Sequence, residues 1–120
     1  MVFDSSALLV FLQGESGNER VARALETQAC ITTLTLMVIL RSLVGAQPRV
    51  VLADLERLGV EIVSLDETLA LEAARLKANP EDLELVCALA LAKIHGLELI
   101  SKNVRTDLAL EAGVKVNAVR

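Results

Sequence analysis

The chain opens MVFDSSALLVFLQGESG (residues 1–17), and the order of residue types in this stretch decides the fold. Residues 1–3 are a short apolar run. Asp4, Ser5 and Ser6 follow, whose side chains accept hydrogen bonds from the free N–H groups of a helix start. Residues 7–12 form an apolar, helix-compatible run, and Gly14 and Gly17 punctuate what comes after it. A short strand passing through a helix cap straight into a helix is the opening unit of an alternating α/β sheet.

The rest of the chain keeps that rhythm. Residues 19–28 read as a polar-faced helix. The β-prone 30–33 leads into a helix over 35–44, and Pro48 opens a further helix over 49–58 that Gly59 ends. Val60–Val63 reads as a strand, and Asp66 caps a helix reaching residue 77. Asn79-Pro80-Glu81-Asp82 is a helix opening, with acids where the helix dipole favours them. The alanine-rich 83–94 is the helix, stopped by Gly96. A strand over 97–100, a helix over 104–112 ended by Gly113 and a strand over 114–116 complete the pattern. Strands separated by helices imply a parallel sheet with helices on both faces. Ligands bind such sheets beyond the carboxyl ends of the strands. The residues to inspect are therefore Asp4-Ser5-Ser6, Thr32-Thr33, Ser64-Leu65-Asp66 and Ser101-Lys102-Asn103.

With 120 residues the chain has the length of one domain, assigned here to 1–120. Hydrophobic residues make up 53% and aromatics only 2%, so Leu, Val, Ala and Ile must build the core. So much apolar side chain in a small domain predicts an interface beyond the core, in a homodimer or higher oligomer or with a protein partner. A net charge of −4 excludes a domain that coats nucleic acid by bulk electrostatics. It does not exclude a nuclease whose metal is held by carboxylates. Cys30 and Cys87 lie in apolar runs without metal-like spacing and read as buried, reduced thiols. The opening stretch lacks a basic leader, and no apolar run reaches the roughly 20 residues that cross a bilayer. A cytoplasmic protein without membrane association is expected.

Chemical motifs are few. The chain has no phosphate-binding glycine loop, dinucleotide fingerprint or nucleophile elbow. His95, beside Gly96, suits a helix end, and a single His without nearby Cys argues against zinc. A phospho-receiver would need an acidic pair and a mid-chain Asp that are missing. Asp4 has two readings: N-cap of the following helix, or metal ligand at the mouth of a central strand.

The opening MVFDSSALLVFLQGESG resembles the start of PIN-domain toxins of the VapC type. There an apolar strand ends in Asp, with Ser or Thr close behind and an acidic-Gly turn after the first helix. ITTLTLMVILRSL (31–43) resembles the family's second strand and following helix. LELVCALALAKIHGLELISKN (83–103) resembles its late helix and strand, and GVKVNAV (113–119) its last strand. The resemblance implies a three-layer α/β/α domain with a small central parallel sheet. It further implies a metal-dependent endoribonuclease, in which clustered carboxylates hold Mg²⁺ or Mn²⁺ against RNA, and a possible antitoxin partner.

Carried over by residue, the resemblance makes Asp4 and Asn103 the catalytic and metal-ligating candidates, with Asp82 and Asp107 as weaker ligand candidates. Ser6, Ser101 and Lys102 become candidates for substrate contact. Two acids of the family's set are missing. The helix after the second strand has Val38 at its acid position, and the late helix has Leu85. Asp82 stands one turn before Leu85, about 5 Å along the axis, and Glu84 points about 100° away from it. Glu81, Asp82 and Glu84 are accordingly expected to complement the helix dipole in solvent. Lys102 and Arg105 read as solvated surface. A carboxylate cluster without metal repels itself, so Val and Leu at these positions favour stability over metal binding. The expectation is a PIN-type protein with weakened or lost ribonuclease activity, or a catalytically inactive module that binds an antitoxin or itself.

Overall fold

The computed structural model describes residues 1–103 and 105–119. Five parallel strands run in the order β3-β2-β1-β4-β5. They are β1 (Val2–Phe3), β2 (Ala29–Thr32), β3 (Val60–Val63), β4 (Leu99–Ser101) and β5 (Val116–Ala118). Seven α-helices lie among the described residues: α1 (Ser5–Leu12), α2 (Asn18–Leu25), α3 (Thr33–Ser42), α4 (Pro48–Arg57), α5 (Glu67–Ala74), α6 (Leu83–His95) and α7 (Thr106–Ala112). A 3₁₀ turn, Pro80–Asp82, leads into α6. This is the α/β/α arrangement implied by the sequence.

Strand pairing explains why both faces are covered. Val2 is level with Cys30 and Leu99, and Phe3 with Ile100. Because side chains alternate along a strand, these rows face opposite sides of the sheet. Val2, Cys30 and Leu99 pack with residues of α5, α6 and α7. Phe3, Ile31 and Ile100 pack with residues of α1 to α4. Helix α6 is buried from Val86 through Ala92, the mark of a helix enclosed on most sides, and it touches α3, α5, α7 and the central strands.

Several boundaries differ from the sequence reading, each for a local reason. Strand β4 begins at Leu99, not 97. Gly96 is left-handed at φ 64°, and the Leu97 N–H turns back to Ala92 O at 2.8 Å, so the chain enters the sheet late. The same closure delays β5: Gly113 has φ 71°, and Val114 N–H reaches Ala109 O at 3.0 Å. Helix α3 starts at Thr33 because Thr32 caps it, accepting from Thr35 N–H. Helix α1 likewise starts at Ser5, directly after its cap Asp4. Helices α2 and α5 stop three residues early, at Leu25 and Ala74. The sequence reading started α7 at 104, which lies outside the described residues; the helix itself begins at Thr106. Both cysteines are free and buried, as expected.

The two halves of the core set the stability expected of substitutions. Ile31 is fully buried in β2, so Ile31→Ala should lower the unfolding free energy by about 2–5 kcal/mol in urea titration. Leu110 is 80% exposed on α7, and Leu110→Ala should change it by less than about 0.5 kcal/mol.

Candidate active site

The strand order reverses between β1 and β4: the chain moves outward from β1 to β2 and β3, then returns to add β4 on the other side of β1. The carboxyl ends of β1 and β4 are therefore the switch point where this architecture places ligands. Asp4 follows β1 there, and Ser101 ends β4 beside it.

Asp4 is buried and meets neutral donors from two directions. As N-cap of α1 its Oδ1 accepts from Ala7 N–H at 3.0 Å, and the Ser6 hydroxyl donates to the same oxygen at 2.6 Å. Its Oδ2 accepts a short hydrogen bond from the Ser101 hydroxyl. Ser6 also accepts from Lys102 N–H at 2.9 Å and lies 3.3 Å from the Ser101 hydroxyl. The structure thus gathers Asp4, Ser6, Ser101 and the Lys102 backbone into one cluster. The cap role and a place in the crevice belong to the same carboxylate.

Burial pushes the Asp4 carboxyl above the ordinary carboxylate range. The hydrogen bonds from Ser101, Ser6 and Ala7 pull it the other way, and the Glu84 charge adds a smaller upward push. Desolvation prevails.

Asn103 sits differently from a ligand aimed at Asp4. It is exposed, and its contacts with Ser101 run through its backbone: its N–H donates to Ser101 Oγ at 3.1 Å, and its C=O lies 3.1 Å from the same oxygen, whose proton goes to Asp4. Asp82 is buried and turned to Arg105, whose Nη1 lies 2.9 Å from Oδ1. It also caps the 3₁₀ turn by accepting from Asn79 N–H. Asp107 pairs with the same guanidinium, at 3.0 and 3.1 Å, which holds its carboxyl below the usual range. Asp82 and Asp107 are thus engaged with Arg105 rather than with Asp4. Nor is Arg105 free surface: it clamps two acids. The Lys102 ammonium lies 3.6 Å from Glu15.

Glu84 departs most from the sequence reading. Its carboxylate does not stand in solvent at the α6 start. It is half-buried and accepts from Ser5 N–H at 2.8 Å, from the Ser5 hydroxyl, and from the Thr35 hydroxyl at 2.8 Å. Thr35 was absent from the sequence candidates, and Ser5 stood among them only as a strand-end residue without an assigned role. The usable signal was their spacing: Ser5 opens α1, and Thr35 lies three residues after the cap Thr32, where a capping hydroxyl and the first turn meet. Leu85 turns away from this network and packs against the α5–α6–α7 side of the core, while Val38 is half-buried on α3. Thr33 and Asp66, at the other strand ends, are engaged locally with Leu65 N–H and Leu69 N–H.

Among the described residues no group of three or more Asp, Glu, His or Cys converges as a metal cluster. The acids nearest the switch point are Asp4 and Glu84, and both already accept from the chain's own donors. Hard divalent cations need oxygen lone pairs turned toward a shared point. This donor set does not fit one.

The PIN-domain family pattern matches residues 1–109, and the chain belongs to the PIN-domain family. No curated protein matches the sequence closely. Among solved structures, the chain is similar to one described as a toxin–antitoxin complex from Klebsiella pneumoniae. That match has a TM-score of 0.77 at 23% identity and covers 99% of this chain and 97% of the other. It is also similar to FitAcB from Neisseria gonorrhoeae, with a TM-score of 0.68, 21% identity and coverage of 96% and 94%. A DNA-bound VapBC from Salmonella typhimurium matches with a TM-score of 0.67 at 16% identity, covering 99% and 97%. At these identities the likeness is one of fold. Among the described residues no helix is long and apolar enough to cross a membrane.

The raised Asp4 pKa has a defined consequence for stability. Between the ordinary value of 3.8 and the raised native value, the folded state holds a proton that the unfolded state has released. Stability should therefore fall as pH rises through the window just above 3.8. In Asp4→Asn that component should vanish, which denaturant titrations in steps of pH would show as a flatter profile.

Proposed function

We propose that residues 1–120 form one PIN unit of the toxin–antitoxin kind whose metal-dependent ribonuclease activity is weakened or lost, and whose remaining role is to bind a protein partner. One observation carries this. Val38 and Leu85 stand where the family's acids are expected, and the remaining carboxylates, Asp4 and Glu84, are turned onto hydroxyl and amide donors. A cation entering the crevice would compete with those donors for the same lone pairs. Asn103 contributes a carboxamide in place of a charge, and its side chain is the remaining candidate oxygen ligand beside Asp4. Ser6, Ser101 and Lys102 remain the candidates for RNA contact, should cleavage survive.

The case for a partner has two supports. The similar structures include assemblies described as toxin–antitoxin and VapBC, which makes an antitoxin-like protein the expected class. The surface also leaves Met37, Val44 and Val50 exposed around α3 and α4, on one face of the sheet. Large apolar side chains in such number suit a protein interface, with an antitoxin or with a second copy. The cytoplasmic setting expected from the sequence is compatible with this reading.

Structured RNA incubated with the protein in Mg²⁺ or Mn²⁺ should show cleavage near background. Robust cutting that chelation stops and Asp4→Asn abolishes would overturn the proposal. Metal binding can be tested without activity. Mn²⁺ should leave the parent melting temperature unchanged, while Val38→Glu, which adds an acid on α3 one turn after Thr35, should make it rise with Mn²⁺ through mass action on the folded state. Light scattering after size exclusion should give at least a dimer at micromolar concentration, and a strict monomer there would remove the self-association arm.

A further inference from the structure

Helix α1 begins with two N–H groups that find acceptors outside the helix, and the acceptors come from different parts of the chain. Ala7 N–H donates to Asp4, the local cap. Ser5 N–H, at the first helical position, has no acceptor within α1. It donates to Glu84 Oε2 at 2.8 Å, across 79 residues of sequence. The Ser5 hydroxyl donates to the other oxygen of that carboxylate. From the third side, the buried Thr35 hydroxyl donates to Oε2 at 2.8 Å, while itself accepting from Thr32 Oγ1 at 3.3 Å.

We propose that Glu84 is a through-space N-cap that locks the starts of α1, α3 and α6 together at the strand ends, without any cation. Three features make this arrangement self-consistent. The carboxylate faces the positive end of the α1 dipole. Three donors converge on its two oxygens, and the Thr32-to-Thr35 bond polarises one of them further, as chained hydroxyls do. Leu85 fixes the rotation of α6, because burying Leu85 against the core turns the preceding residue about 100° away, toward α1 and α3. An aspartate-metal cluster would tie the same helices through an ion; here the tie is a carboxylate and its donors. The lock goes beyond the proposed loss of activity and holds whether or not the chain cleaves RNA.

Amide hydrogen exchange reads the lock directly, because a first-position helix N–H left to water exchanges fast. In the intact protein with chelator present, the Ser5 amide should exchange about as slowly as Ala7. In Glu84→Ala it should speed up at least about tenfold relative to Ala7 in the same molecule, with Ala7 reporting on the helix itself. Glu81→Ala, which alters an exposed acid one turn earlier, should leave the ratio unchanged. A fast Ser5 amide in the parent would overturn the proposal even if Glu84→Ala failed to fold. So would an unchanged ratio in Glu84→Ala, or Ser5 protection that appears only on adding millimolar Mg²⁺.

Discussion

The strand-end architecture depends on one buried charge. Asp4 sits between β1, α1 and β4, and its desolvation would be prohibitive without compensating donors. Those donors come from Ala7 and Ser6 of the helix it starts and from Ser101 of the neighbouring strand. One side chain therefore fixes the entry of α1 and ties the first strand to the fourth across the point where the sheet order reverses. Charge-assisted bonds of this kind are the strong ones, and losing a partner leaves a buried charge uncompensated. Even so, burial outweighs the hydrogen bonds in the Asp4 pKa, which lies above the ordinary carboxylate range. Such tension is common at functional sites, though structural networks produce it too.

Around Asp4 the remaining polar groups are engaged with partners from within the chain. Lys102 lies against Glu15, and Arg105 bridges Asp82 and Asp107. Glu84 meets Ser5 and Thr35. Each charge near the crevice thus has a counter-charge or a set of donors from within the chain. The surface pairs add little to stability individually, since exposed pairs contribute about 0–1 kcal/mol. Their effect is geometric: Arg105 connects the turn before α6 to the start of α7, on the flank of the crevice.

Most of the fold was legible in sequence because the signals were local. Asp4 and Asp66 do cap helices, Gly96 and Gly113 do end them, and the alternating apolar runs do become parallel strands, while the Thr32 cap was hidden in a β-prone run. The delayed starts of β4 and β5 were hidden, since the backbone turn after a left-handed glycine consumes residues that look strand-like. In the site, the grouping of Asp4 with Ser6 and Ser101 follows from strand-end logic alone. The position of Glu84 does not. Helical geometry places residue 84 about 100° from residue 85, but which of the two faces the crevice depends on how α6 is rotated against the sheet. That rotation is a property of the core, set by consecutive buried residues whose pattern has no strong single face.

The rotation of α6 also bears on how an acid cluster can be dismantled without losing the fold. Clustered carboxylates repel one another unless a cation sits among them, so losing the cation would loosen the helices they join. Replacing acids by apolar residues removes the repulsion but leaves the helix starts around the crevice without acceptors. Here Leu85 adds to the core while Glu84, one residue earlier, supplies an acceptor to Ser5 and Thr35. Hydroxyl donors then do for Asp4 and Glu84 what an ion does for a cluster, and with neutral groups that carry no repulsion of their own. The strand ends stay joined by bonds that form on folding and require nothing from solution. Under the proposed reading, that is how such a chain would keep the PIN fold with a crevice joined by its own donors.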